Sequence, residues 1–270
     1  MVAHRLRRQT NWRFIDVTFP NAAMNMAIDE AIFEAFRRGL VPPTLRVYEW
    51  SSPALSVGRF QEIDDIDVEQ CDELDVQIVR RITGGRAVLH GADVSYSIVL
   101  EREEGFPKSS ADSYRFLCRG LIRAYEILGV EVELVSSKES DSPICFLGFS
   151  RADLSYRGRK LAGGAQIWRE GFLLQQGSLL MDFDEKALFA ILKQPLHRDI
   201  SSQITSLRQI MGGPVEIDLF KDALLRGFQE TLCISLIASN LTTWEINCAK
   251  RLFGDRYTSD PWTFLGKLEL

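Results

Sequence analysis

The sequence predicts an α+β fold: a large mixed sheet, mostly antiparallel, flanked by helices and followed by a short helical C-terminal extension. Three observations carry this expectation. Residues 21–40 and 109–129 repeat apolar side chains at three- and four-residue spacing, the period of a helix with one buried face. Short alternating runs bounded by Gly, Pro and Ser lie around them and read as strands. Beyond residue 184 helical spacing returns.

The first helix buries Met24, Ile28, Ala31, Ile32 and Ala35, and Asn21 can cap its start. Residues 44–59 predict two strands, LRVYEW (45–50) and ALSVG (54–58), parted by the turn Ser51-Ser52-Pro53. Residues 76–80 form another strand that runs straight into a glycine loop, and residues 94–100 alternate again. The second long helix offers Phe116, Leu117, Leu121, Ile122, Tyr125 and Leu128 to a core and stops at Gly129. A strand meander spans 153–181, with turns at Arg157-Gly158 and Arg169-Glu170-Gly171. Helices follow at 184–194, 216–232 and 242–253, the last opened by Thr242 and Glu245 at capping-box spacing. The loop-like stretch 195–213 joins a main domain, 12–195, to an extension, 196–270, packed on the same domain.

Composition narrows the function. The chain is 46% hydrophobic and 26% charged, an ordinary globular balance, and its net charge of -5 argues against a nucleic-acid partner. No run approaches the roughly 18 apolar residues that span a membrane, so no membrane partner is expected. The basic residues 1–10 lack a following apolar core, which predicts a cytoplasmic rather than a secreted protein. Five cysteines (71, 118, 145, 233, 248) stand far apart with no C-x-x-C pair, and there are three histidines, so neither a metal site nor disulfides are expected.

Three segments can carry chemistry. In RRITGGRAVLH (80–90), a strand brings Arg80 and Arg81 to Gly84-Gly85-Arg86 and a second strand leaves through His90. Glycines let backbone N–H groups approach a carbonyl or phosphate, but a plain hairpin with solvated arginines fits the same letters. In GRKLAGGAQ (158–166), alternation puts Lys160 and Ala162 on one face, and Gly163, Gly164 and Ala165 leave room beside the lysine. That lysine could hold an ammonium against an acyl oxygen, or simply be exposed beside a turn. Cys145 follows Pro143 in an aperiodic loop, where a nucleophilic thiol could sit; the other four cysteines read as core or near-core thiols.

Taken in order, NMAIDE (25–30), LRVYEW (45–50), LSVGRFQ (55–61), the 80–90 loop, the 158–166 strand and LQQGSLL (174–180) resemble the lipoate-protein ligase and octanoyltransferase family. The resemblance covers about residues 12–260 and implies the fold shared with biotin protein ligases and class II synthetases. It implies that Lys160 contacts the acyl carbonyl, and that Arg80, Arg81, Gly84, Gly85, Arg86, His90, Gly163, Gly164 and Ala165 line the substrate site. A cysteine ahead of the lysine strand is similar to the Gram-positive octanoyl-carrier transferases, which implies Cys145 as the acyl-thioester nucleophile and no cofactor. The implied partners are an octanoyl acyl carrier protein as donor, and the glycine cleavage H protein or another lipoyl-domain protein as acceptor. Gln176 replaces a common His, Gly164 a frequent Ser, and Leu147-Gly148-Phe149 the usual small and acidic residues. An ATP-dependent ligase, an amidotransferase between lipoyl-domain proteins and an acyl-binding module are the competing expectations.

Overall fold

The computed structural model describes residues 10–103, 106–136, 151–193 and 202–267. In chain order these form β1 (Asn11–Asp16), α1 (Ala22–Arg37), β2 (Thr44–Tyr48), β3 (Ala54–Val57), α2 (Val68–Glu73), β4 (Gln77–Arg80), β5 (Val88–His90) and β6 (Asp93–Glu101). Then come α3 (Ser110–Ile127), β7 (Glu133–Ser136), β8 (Arg151–Tyr156), β9 (Arg159–Arg169), β10 (Phe172–Leu180) and α4 (Glu185–Ala190). The chain closes with α5 (Leu207–Met211), α6 (Ile217–Leu232), β11 (Ser235–Ala238), α7 (Thr243–Leu252), a π-helical turn (Phe253–Tyr257) and α8 (Asp260–Leu265).

Among the described residues, eight strands make one sheet in the order β11-β1-β2-β6-β10-β9-β8-β7, and β4-β3-β5 make a second, smaller one. The large sheet is parallel only where β1 lies between β11 and β2, and antiparallel from β2 onward, as expected of a mixed, mostly antiparallel sheet. Both predicted turns of the meander are two-residue hairpin turns. Arg157 and Gly158 (φ 50° and 75°) and Glu170 and Gly171 (φ 53° and 90°) adopt the paired left-handed geometry that matches strand twist.

The helix signals also hold. Asn21 accepts a hydrogen bond from the Met24 N–H at 3.2 Å, and Thr242 and Glu245 form the reciprocal capping box. Three expectations change, the first being that α5 (Leu207–Met211) falls within the stretch 195–213 read as loop-like. The helix predicted at 184–194 is confined to the six residues of α4, and the C-terminal region contains a strand, β11, which pairs with β1. No helix among the described residues is long and apolar enough to cross a membrane.

Period-two alternation gives the large sheet two different faces. Leu45, Val47, Tyr96, Ile98, Leu173 and Leu179 enter one core cluster with Leu117 and Leu121 of α3 and Leu224 and Phe228 of α6. Those two helices touch backbone to backbone: a Cβ on Gly227 would lie 2.3 Å from the Gly120 carbonyl. The opposite face carries Arg46, Tyr48, Ser95, Ser97, Gln176 and Ser178, all buried, and looks toward α1. Beyond that helix lie α7, the π turn and α8, whose Cys248, Ala249, Tyr257 and Trp262 complete a second core with it.

Candidate active site

The arginine–glycine segment is not a hairpin. Strands β4 and β5 both pair with β3 and lie on either side of it, so the chain leaving β4 must cross the end of β3 to reach β5. It crosses at Gly58, where an added Cβ would fall 1.8 Å from the Gly85 carbonyl oxygen. Only a glycine fits there. Gly85 itself has φ 87° and faces Ala165 across the gap, its ideal Cβ position 3.6 Å from the alanine Cβ. Two segments far apart in sequence thereby meet.

Arg81 sets the shape of the crossing loop. One guanidinium nitrogen donates to the Ser56 carbonyl at 2.7 Å and to its hydroxyl at 3.1 Å; another donates to the carbonyls of Gly84 at 2.9 Å and Arg86 at 2.7 Å. A trans peptide points its N–H opposite its C=O, so turning the Gly84 carbonyl toward Arg81 turns the Gly85 N–H away from the guanidinium. The Thr83 hydroxyl fastens the loop to the large sheet by donating to Gln176 Oε1 at 2.9 Å.

Arg80 and His90 have other surroundings. Arg80 donates to the carbonyls of Gly58, Gln61, Trp262 and Thr263, and Trp262 returns a hydrogen bond from its indole to the Arg80 carbonyl. It ties the strand to α8. His90 bonds Ser56 Oγ at 2.8 Å through Nε2 and Asp93 at 2.9 Å through Nδ1, and its ring stacks on Trp50. Burial alone would push the Asp93 carboxyl up, but His90 beside it and hydrogen bonds from His90, Ser178 and Ser95 hold it below the usual carboxylate range. Arg86 is half-buried and contributes its carbonyl to Arg81.

The lysine strand departs from simple alternation, and the departure creates the site. Tyr156 pairs with Arg159 and Ser155 with Lys160, but Leu154 pairs with Ala162, so Leu161 is an extra residue in β9. This bulge turns Leu161 and Ala162 together into the core beneath α3. Lys160 therefore shares a face not with Ala162, as alternation predicts, but with Gly163. An added Cβ on Gly163 would lie 3.2 Å from Lys160 Cε and 3.3 Å from Asp153 Oδ1. The ammonium meets Asp153 Oδ2 at 2.6 Å, and both side chains are fully buried. The lysine backbone is also clamped: its N–H donates to Gln203 and its carbonyl accepts from Thr205. Ala165 lies on the Gly163 face, whereas Gly164 turns the other way, toward the Tyr114 hydroxyl of α3.

Behind the loop stands a buried hub that the letters alone do not announce. Asp29 accepts from Arg46 at 2.7 Å, Ser97 at 2.8 Å, Tyr48 at 3.1 Å and Gln176 at 2.7 Å. Arg46 also reaches Asn25 Oδ1 at 2.6 Å. The motifs NMAIDE and LRVYEW thus meet in one ion pair, and Gln176 joins it to Thr83. Asp153 is the other missed residue; its signal was its place just before the Arg157-Gly158 turn, which brings it back beside β9.

Cys145 lies outside the described residues, with its whole loop. Of the other cysteines, Cys71, Cys118 and Cys248 are buried as expected, and burial, with Asp67 nearby, pushes the Cys71 thiol up to about 11. Cys233 is not a core thiol: it ends α6 in the left-handed conformation (φ 55°) and is exposed.

The sequence model of the lipoyl protein ligase A/B catalytic domain matches residues 21–229. An octanoyltransferase LipM from Kyrpidia tusciae is 38% identical, covering 94% of this chain and 98% of that protein. Another from Geobacillus kaustophilus is 35% identical at the same coverage. Among solved structures, a putative lipoate protein ligase from T. acidophilum with bound lipoic acid superposes with a TM-score of 0.81 at 26% identity, covering 94% of this chain and 99% of that one. A lipoate-protein ligase A bound with ATP gives 0.79 at 25% identity, over 95% and 98%.

Proposed function

This chain belongs to the lipoyl protein ligase A/B catalytic domain family, and from that premise we infer that it is an octanoyltransferase of lipoate assembly. It takes octanoyl from an acyl carrier protein and places it on a lysine of a lipoyl-domain protein, with a thioester on Cys145 between the two. The full-length likeness to octanoyltransferases supports the overall reaction. The observation that carries the chemistry is the Lys160 ammonium, buried against the Gly163 notch on the face that also presents Ala165 to the Gly84-Gly85 loop.

In the first half-reaction the Cys145 thiolate attacks the donor thioester carbonyl. The developing oxyanion is met by the charge of the buried Lys160 and by the Gly85 N–H that Arg81 turns away from itself, both preorganised by the surrounding chain. Collapse of the tetrahedral intermediate breaks the bond to the carrier sulfur, which leaves as a thiolate and takes up a proton from water. In the second half-reaction the neutral amine of the acceptor lysine attacks the acyl-cysteine. The amide forms, the cysteine sulfur leaves, and the amine proton passes to it or to water. Exchange of a thioester for an amide runs downhill, so no ATP enters.

The test is to incubate the protein with octanoyl carrier protein and apo H protein without ATP and to follow every mass. A hydroxylamine-sensitive octanoyl adduct on the wild type, absent from Cys145→Ala, is the expected result. An unmodified enzyme with a product that requires ATP would replace this reading with a ligase. Octanoyl H protein offered as sole donor separates the amidotransferase.

A further inference from the structure

A lysine that stabilises an oxyanion must be charged, aimed and held still, and an ammonium is costly to bury without a counter-charge. Here the counter-charge among the described residues is Asp153, which the motifs do not name. Asp153 lies on β8 across from Gly163, its Oδ2 is 2.6 Å from Lys160 Nζ, and neither side chain reaches solvent.

Three features of the local chain converge on this pairing. The extra residue Leu161 rotates Lys160 onto the Asp153 face; without it, alternation would send the lysine to the Ala162 side. The missing side chain at Gly163 leaves the space that Lys160 Cε and Nζ fill, with Nζ 3.5 Å from the ideal Cβ position. The hydrogen bonds to Gln203 and Thr205 fix the lysine backbone on the side of the strand away from β8. Ser155, directly across from Lys160, adds a buried hydroxyl with no hydrogen-bond partner among the described residues. An ordinary structural ion pair needs none of this local distortion.

We propose that Asp153 is the positioning residue of the acyl-transfer site, acting through Lys160: it supplies the counter-charge and the anchor that keep the ammonium against Gly163. The proposal rests on the octanoyltransferase reading, since it assigns Asp153 to the same oxyanion. It also gives Gly163 a reason, because Gly163→Ala would press on both partners at once.

A double-mutant cycle on the full chain decides it, read as the rate of acyl-cysteine formation from octanoyl carrier protein at saturating and sub-saturating donor. Lys160→Gln should slow the saturated rate by ~10²-fold or more, the usual scale for a lost oxyanion donor. Asp153→Asn, which keeps the shape and removes the charge, should slow it by roughly tenfold to a hundredfold with little change in donor KM. The double variant should be no slower than Lys160→Gln alone, because the proposed role of Asp153 is exerted through the lysine ammonium. Wild-type rates for a folded Asp153→Asn would overturn the proposal, as would losses that multiply in the double variant. Should Asp153→Asn fail to fold, Asp153→Glu decides: a slower saturated rate at unchanged KM supports the assignment, and an unchanged rate overturns it. A wild-type chain that forms no acyl adduct would instead overturn the transferase reading, and this proposal with it.

Discussion

The two faces of the large sheet are built on opposite principles. Toward α3 and α6 the strands present Leu45, Val47, Ile98, Leu173 and Leu179, side chains whose burial is favourable in almost any orientation. Toward α1 the same strands present Arg46, Tyr48, Ser95, Ser97, Gln176 and Ser178, whose burial is tolerable only in one arrangement of hydrogen bonds. Adjacent residues of a single strand thus serve stability on one side and geometry on the other. The proposed acyl chemistry lies on the side where position, rather than area, is specified, and a bulge turns Lys160 to that side.

The contrast can be broken most severely at Arg46. Arg46→Ala leaves the Asp29 carboxylate buried without its ion partner, and should cost about 3–5 kcal/mol in urea denaturation. The glycine loop should loosen with it, since Gln176 and Thr83 hang on the same carboxylate.

On the apolar face, Leu121→Ala should cost about 2–5 kcal/mol by the same measurement. There the acyl-transfer rate per folded molecule should stay at the wild-type value. A drop in that rate would show that the two faces are not separable.

The smallest effect sharpens the comparison through pH. Asp93 has a folded-state value held below its unfolded one, so its contribution is fully present above the ordinary carboxylate value of about 4 and is lost as pH falls through the lower, folded value. The stability gap between wild type and Asp93→Asn should therefore close progressively as pH falls below the ordinary carboxylate value of about 4. No such closing is expected for the gap to Leu121→Ala.

Much of the framework was legible because its causes are local. The apolar spacing of α1 and α3, the caps at Asn21 and Thr242, and the Arg157-Gly158 and Glu170-Gly171 turns depend on residues a few positions apart, and each stands where it was read. The candidate site was legible as a set of segments, and Gly85 does meet Ala165. Roles within the set were less so. Arg80, grouped with Arg81 by its neighbours in sequence, gives its hydrogen bonds to carbonyls that include those of Trp262 and Thr263, some 180 residues along the chain.

By itself, then, the sequence determined the α+β class, most of the helices and strands, and the residue types available for acyl chemistry. Tertiary structure alone decided which way they point. A single unpaired residue, Leu161, reverses the side chains on either side of it, and the insertion of β3 between β4 and β5 converts an apparent hairpin into a loop crossing over Gly58. Strand register and neighbour choice are settled by the burial of whole faces against one another, a sum over distant contacts that no local stretch of sequence contains.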